Sequence, residues 1–161
     1  GSFGSIRTLS WSSDFERLLI AGDEMALIVD REGFARSNTI RGSDRALMAN
    51  ASCALESPGF ALAFGHRDSQ KVTGGLMQVD VDGRPLGSLA FNDEPLSLVC
   101  RDGEILVGTD KGEVLRVSRD FREWTVEQTV DPPQPINALV WEQHDPAPAA
   151  IRGEVSRGSA G

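Results

Sequence analysis

Val107-Gly108-Thr109-Asp110-Lys111-Gly112-Glu113-Val114-Leu115-Arg116-Val117 reads as two short strands folded back on each other. Ile105, Leu106 and Val107 lead into Gly108, and apolar residues resume at Val114, Leu115 and Val117. Between them Asp110-Lys111-Gly112 supplies residues that tolerate the positive φ of a tight β-connection. The unit is a β-hairpin, and the question it raises is whether the chain repeats it.

It does. Second strands ending in glycine occur at Leu18–Gly22, Ala61–Gly65 and Ile105–Gly108, and the three glycines are 43 and 43 residues apart. Third strands follow at Met25–Asp30, Leu76–Asp80 and Val114–Ser118. First strands with alternating apolar residues precede them at Ile6–Trp11, Ala49–Ala54 and Leu96–Cys100, and a fourth such strand stands at Ile136–Trp141. These begin 43, 47 and 40 residues apart. Fourth strands are expected at Ala35–Ile40, Pro85–Phe91 and Trp124–Val130. Turn residues fall where antiparallel strands need them, at Arg31-Glu32-Gly33, Asp82-Gly83 and Asp102-Gly103. No segment carries an apolar stripe of helical period over three turns, so the chain is all-β.

Four-stranded sheets repeating every 40 to 50 residues pack radially, because one such sheet cannot bury both faces alone. A β-sandwich would not keep the even spacing of Gly22, Gly65 and Gly108. The hairpin at 107–117 resembles the central hairpin of a blade in WD40-like and quinoprotein-like β-propellers, and with the weaker repeats the resemblance covers residues 6 to 142. It implies a partial β-propeller of about three four-stranded antiparallel blades plus one orphan strand. Where WD40 blades end their third strand in Trp-Asp, this chain reads Val29-Asp30, Val79-Asp80 and Val117-Ser118. The Gly-His pair of that family is matched only by Gly65-His66, just past a strand end, so the resemblance is to the architecture. Residues 1–143 are assigned to the propeller. Residues 144–161, rich in Pro, Ala, Gly and Ser, are assigned to a disordered tail or linker.

Composition excludes several partners. The chain has 161 residues and carries a net charge of −8, which repels phosphate backbones and anionic lipid heads. Neither nucleic acid nor a membrane is expected as a partner. The longest apolar runs, Met25–Val29 and Phe60–Phe64, fall far short of the ~20 residues that span a bilayer. The start, Gly1-Ser2-Phe3-Gly4-Ser5, lacks Met and reads as a cut or processed end without a secretory signal. A soluble protein is expected, with the cytoplasm the favoured location. Two cysteines, Cys53 and Cys100, lack C-x-x-C spacing and are expected as reduced, buried thiols.

No catalytic constellation is found. His66 and His144 have no Cys or second His at ligand spacing. Asp80-Val81-Asp82-Gly83 starts like a calcium loop but continues Arg84-Pro85-Leu86, without further oxygen ligands. Quinone-binding propellers would want repeated aromatic packing, and the chain has no Tyr and three Trp. No nucleophile elbow or phosphate loop occurs, and no cofactor or metal is expected. Trp11 and Trp141 occupy matching positions and read as blade-packing residues.

Propellers of this resemblance carry function in their loops. The turns between second and third strands, together with the blade-to-blade connections, would share one face. That face would hold Asp23, Glu24, Asp44, Asp68, Asp93, Glu94, Asp110 and Asp131, eight carboxylates against five bases at Arg41, Arg45, Arg67, Lys71 and Lys111. The expected function is a non-enzymatic module presenting loops to a protein partner, a basic one by charge. The alternatives are a fragment of a propeller enzyme or ligand-binding propeller whose site lies outside this chain, and a purely structural repeat segment. Closed propellers usually need at least four blades. The chain therefore reads as a fragment, a degenerate domain or one part of a larger ring, and self-association through the orphan strand and open ends is expected.

Overall fold

The computed structural model of the chain describes residues 5–23, 25–37, 40, 47–56, 59–68 and 71–140. Among them lie three antiparallel sheets that follow one another along the chain. The first is β1 (Ile6–Trp11), β2 (Arg17–Gly22) and β3 (Ala26–Asp30). The second is β4 (Leu47–Leu55), β5 (Gly59–Asp68), β6 (Lys71–Val79) and β7 (Pro85–Phe91). The third is β8 (Pro95–Arg101), β9 (Glu104–Thr109), β10 (Glu113–Val117) and β11 (Trp124–Thr129). Each is a meander in which sequence neighbours pair. No helix among the described residues is long and apolar enough to cross a membrane.

The first sheet's fourth segment is held by isolated contacts rather than a continuous ladder, among them the Arg36 N–H donating to Ile28 O at 2.8 Å. Val29 bridges Ala35 and Ala26 bridges Ile40, with reciprocal bonds between Ala26 and Ile40 at 3.1 and 2.8 Å. Between them the Ile28 N–H donates to the Ser37 hydroxyl at 2.9 Å, so a side chain takes the proton that a ladder carbonyl would take. The fourth repeat is shorter still. Residues 133–140 form no strand, so the orphan strand expected at Ile136–Trp141 is corrected over its described part: Ile136–Val140 runs without a paired neighbouring strand among the described residues and is tied in by single bonds. The Ile136 N–H donates to Thr109 O at 3.0 Å and the Ser97 hydroxyl donates to Ile136 O at 2.8 Å. Trp141 lies outside the described residues, as does the segment 144–161.

Each sheet stacks against the next, and two cores fill the seams. Leu19, Ala21, Ala26 and Ile28 of the first sheet meet Phe60, Leu62, Phe64 and Val79 of the second. Ala61, Ala63, Leu76 and Phe91 meet Ile105, Val107, Leu115 and Val117 of the third. Strand alternation explains the division, because successive residues of β5 face opposite sides of one sheet. The innermost strands meet through small polar groups: the Ser52 hydroxyl lies 2.7 Å from that of Thr8 and 2.6 Å from that of Ser10.

The turns after the third strands share a device. The Asp30 carboxylate accepts the Glu32 and Phe34 N–H groups, Asp80 accepts those of Asp82 and Arg84, and the Ser118 hydroxyl accepts those of Arg122 and Glu123. A short acceptor bonding N–H groups two and four residues on, as for Asp30 and Asp80, or four and five on, as for Ser118, organises each turn locally. Asp102 and Gly103, with φ of 51° and 77°, form a turn of the kind that matches strand twist.

Asp30 is buried and its Oδ2 also accepts from Arg36 Nε at 2.7 Å. Burial pushes its pKa up, but the bonds from Phe34, Arg36 and Glu32 more than offset this, and the carboxyl titrates below its ordinary value. A folded-state pKa depressed in this way stabilises the fold above the unfolded value and loses that contribution as pH falls through the folded one. Asp30→Asn is therefore expected to lower the melting temperature at neutral pH. The gap to the parent should close below about pH 4, as thermal melts across a pH series would show; a gap constant with pH refutes it.

Two further expectations need correction. His66 lies inside β5, two residues before its end at Asp68, with its ring edge-on to Phe64 at 4.9 Å between centroids. Cys53 and Cys100 are joined as a disulfide rather than held as separate thiols, with their Cα atoms 5.8 Å apart. The cause is a register shift in β4 between Ala49 and Ala51. Ala49 packs in the first core, whereas Ala51 and Cys53 pack against the second. The bulge thus turns Cys53 toward the third sheet, where Cys100 faces it.

Candidate functional site

The loops between second and third strands meet the connections between sheets at each seam. Asp23, after β2, bridges Met48 of β4, and its N–H donates to Ser5 O at 3.3 Å. Asp110, between β9 and β10, and Glu94, between β7 and β8, bond reciprocally: Asp110 N–H to Glu94 O at 3.0 Å and Glu94 N–H to Asp110 Oδ1 at 3.1 Å. Gly112 lies beside the backbone of Gln134, with φ of 81° that its missing side chain permits. Turns and connections therefore share one end of the sheets.

The structure separates the eight acidic residues expected there into different roles. Glu94 is half-buried and its Oε1 accepts from Asn50 Nδ2 at 3.0 Å, while the same amide donates to Pro95 O at 2.8 Å. A Cβ on Gly65 would collide with the Glu94 carboxylate, so the glycine makes room for it. Glu94 and Asp110 thus hold the seam between the second and third sheets. Asp23 pairs with Arg7 at 3.4 Å, both partly exposed, an arrangement of small energetic weight. Asp93 is half-buried and Asp131 is exposed, next to the cis bond to Pro132. Asp68 ends β5 opposite Lys71, and Glu24 and Asp44 lie outside the described residues. Lys111 is exposed beside Asp110.

Asn50 and Ser97 were not singled out by charge or motif, yet both act at this end. Each side chain, on the innermost strand of one repeat, donates to a carbonyl where the next repeat begins, Asn50 to Pro95 O and Ser97 to Ile136 O. A signal existed: each is a polar residue flanked on both sides by apolar ones, and they are 47 residues apart, the same separation as Cys53 and Cys100.

At the opposite end, the seam between the second and third sheets opens a cleft of about 270 Å³ bordered by Leu55, Gln78, Cys100, Arg101, Arg119 and Phe121. Among the described residues no three His, Cys, Asp or Glu side chains are placed to hold one metal ion.

No family model matches the chain, and no curated protein matches it. Solved structures do. The chain is similar to the β-propeller domain of Cps50 (Swd1) from Myceliophteria thermophila, with a TM-score of 0.60 and 17% identity over 87% of this chain and 46% of that one. The architecture is that of a β-propeller. A protein of unknown function from Bacteroides caccae matches with a TM-score of 0.57 and 12% identity, over 78% of this chain and 45% of that one. Each sheet described above is therefore a blade, and the chain spans less than half the length of these two matched structures. At such identities the likeness speaks for the fold alone.

Proposed function

We propose that this partial propeller is a docking module that offers the loop end of its blades to a basic protein segment. The observation that carries the reading is the convergence of turns and connections at one end, where, among the described residues, the six acids Asp23, Asp68, Asp93, Glu94, Asp110 and Asp131 outnumber the four bases Arg7, Arg67, Lys71 and Lys111. Charge of one sign on a rigid scaffold steers an oppositely charged segment and fixes its register. Glu94 and Asp110 supply the rigidity, and Asp93 and Asp131 are the groups with least structural duty.

Reversing both, Asp93→Lys with Asp131→Lys, is expected to weaken binding of a Lys/Arg-rich peptide by roughly tenfold, about 1.4 kcal/mol. Fluorescence anisotropy at low and at physiological ionic strength reads this, with the parent's affinity falling as salt rises. An acidic peptide that binds the parent as well as the basic one, or a double variant that binds unchanged, would refute the reading.

A further inference from the structure

The cleft at the end of the sheets away from the loop face lies between the second and third blades, each of which has all four strands among the described residues. Leu55 at the end of β4 and Gln78 near the end of β6 come from one blade. Ile105 of β9, with Arg119 and Phe121 of the turn between β10 and β11, comes from the other. Cys100 stands on the inner side, where its bond to Cys53 ties the two innermost strands and fixes the walls.

The floor is apolar. Leu55, Ile105 and Phe121 belong to the cluster that fills this seam, and Phe121 is 8% exposed. Its backbone takes φ of 62°, uncommon for a residue with a Cβ, in a turn where the Asp120 carboxylate accepts from the Ser118 hydroxyl and the Arg122 N–H. The groove runs outward from this floor: Gln78 pairs with Gly87 of β7, and a Cβ at Gly87 would meet nothing within 4 Å.

Two polar side chains stand over the floor. Met77 and Val79 pack toward the first blade, so strand alternation turns Gln78 toward the third. Arg119 is placed by Gly103, since a Cβ built there would stand 3.3 Å from Arg119 Cζ; the guanidinium therefore lies across the turn between β8 and β9, at the mouth. Neither the Gln78 amide nor the Arg119 guanidinium bonds to another group among the described residues. The carboxylates nearby are engaged elsewhere or stand apart. Arg116 holds Glu104 at 2.6 Å, on the face of β9 opposite Ile105. Asp102 lies 3.6 Å from Arg101, and Glu56 is exposed on the other wall.

We propose that this cleft binds a small organic acid with an apolar body, its carboxylate on Arg119 and Gln78 and its body on Leu55, Ile105 and Phe121. Guanidinium and amide N–H groups are donors suited to a carboxylate, and a guanidinium can meet one with two parallel bonds. Volume sets the size class. About 270 Å³ is near the lower bound of ligand pockets, roughly 300 Å³, so the cleft admits a molecule of about a dozen non-hydrogen atoms rather than a length of peptide. Walls fixed in advance lower the cost of ordering the bound state. The net charge of −8 opposes an incoming anion, but it is screened within about 8 Å at physiological salt. The site lies at the end opposite the loop face, so it stands or falls independently of docking there.

Amide chemical shifts of the full chain in non-reducing buffer, titrated with phenylbutyrate and separately with the neutral phenylbutyramide, test this. The acid is expected to move the Gly103, Ile105 and Phe121 amides and the Gln78 side-chain amide saturably at millimolar concentration, and to leave Asp93 and Asp131 unmoved. Arg119→Gln is expected to weaken the acid by roughly five- to tenfold and the neutral amide by about twofold at most, a selectivity that a structural role would not give. Arg119 is exposed, so the variant should fold, and Arg122→Gln on the same turn should bind as the parent does. Absence of a saturable shift in the cleft overturns the proposal. Equal binding of acid and amide, or an equal loss of both in Arg119→Gln, overturns the carboxylate contact. A peptide ending in Phe that moves the same residues at lower concentration than the free acid overturns the small-molecule reading in favour of a chain terminus.

Discussion

Phe60→Ala is expected to destabilise the protein by about 3 to 5 kcal/mol, out of the roughly 5 to 15 kcal/mol that a domain has in total. Phe60 is fully buried and sits at the start of β5, opposite Val79 of β6 and Ala54 of β4. Its ring fills the seam between the first and second blades with Leu19, Ile28 and Leu62. Truncation removes that apolar area and leaves a cavity between two sheets whose separation is set by their other side chains, so the seam cannot close over it. Leu86→Ala on β7, where the side chain is 54% exposed, should change stability by no more than about 0.5 kcal/mol. Urea unfolding with a common m-value compares the two. Equal midpoints would mean that the first seam is not packed as described.

What a single sequence could show here is what strand periodicity and local turn chemistry control. β7 and β11 begin where the alternation of Pro85–Phe91 and Trp124–Val130 places them, and the acceptors Asp30, Asp80 and Ser118 mark the ends of the third strands, as the resemblance to WD40-like blades implied. Both signals lie within a few residues of the structure they determine. The first blade's outer strand was harder to read, because Ser37 replaces a ladder bond with a side-chain bond, and apolar pattern carries no record of that.

The candidate site was legible as a location but not as a set of free groups. Placing Glu94 and Asp110 at one end followed from blade geometry; that they bond to each other follows from how close two loops 16 residues apart approach in space. The cysteines illustrate the same limit. Cys53 stands in an apolar strand, and strict alternation would put it on the same face as Ala49, four residues earlier. The bulge at Asn50 breaks that alternation, and residues on either side of it face different blades.

That reversal makes the bond between Cys53 and Cys100 the second large term. It ties the innermost strands of the second and third blades across a separation of 47 residues. Chain-entropy arguments put the stabilisation from closing a loop of that length at about 4 kcal/mol, through fewer conformations of the unfolded chain. For a chain of this size that corresponds to roughly 8 to 16 °C in melting temperature. The parent melted with a dithiol reductant should therefore lose most of that margin, and Cys53→Ser with Cys100→Ser should melt low whether or not the reductant is present. The serine pair also controls for effects of the reductant on the rest of the protein, since neither remaining side chain can be reduced. Counting thiols in denaturant, before and after reduction, should give none and then two. A parent whose melting is insensitive to reductant and which already shows two thiols would mean that the cysteines pack side by side without bonding, and that the seam is held by Leu76, Phe91, Val107 and Leu115 alone.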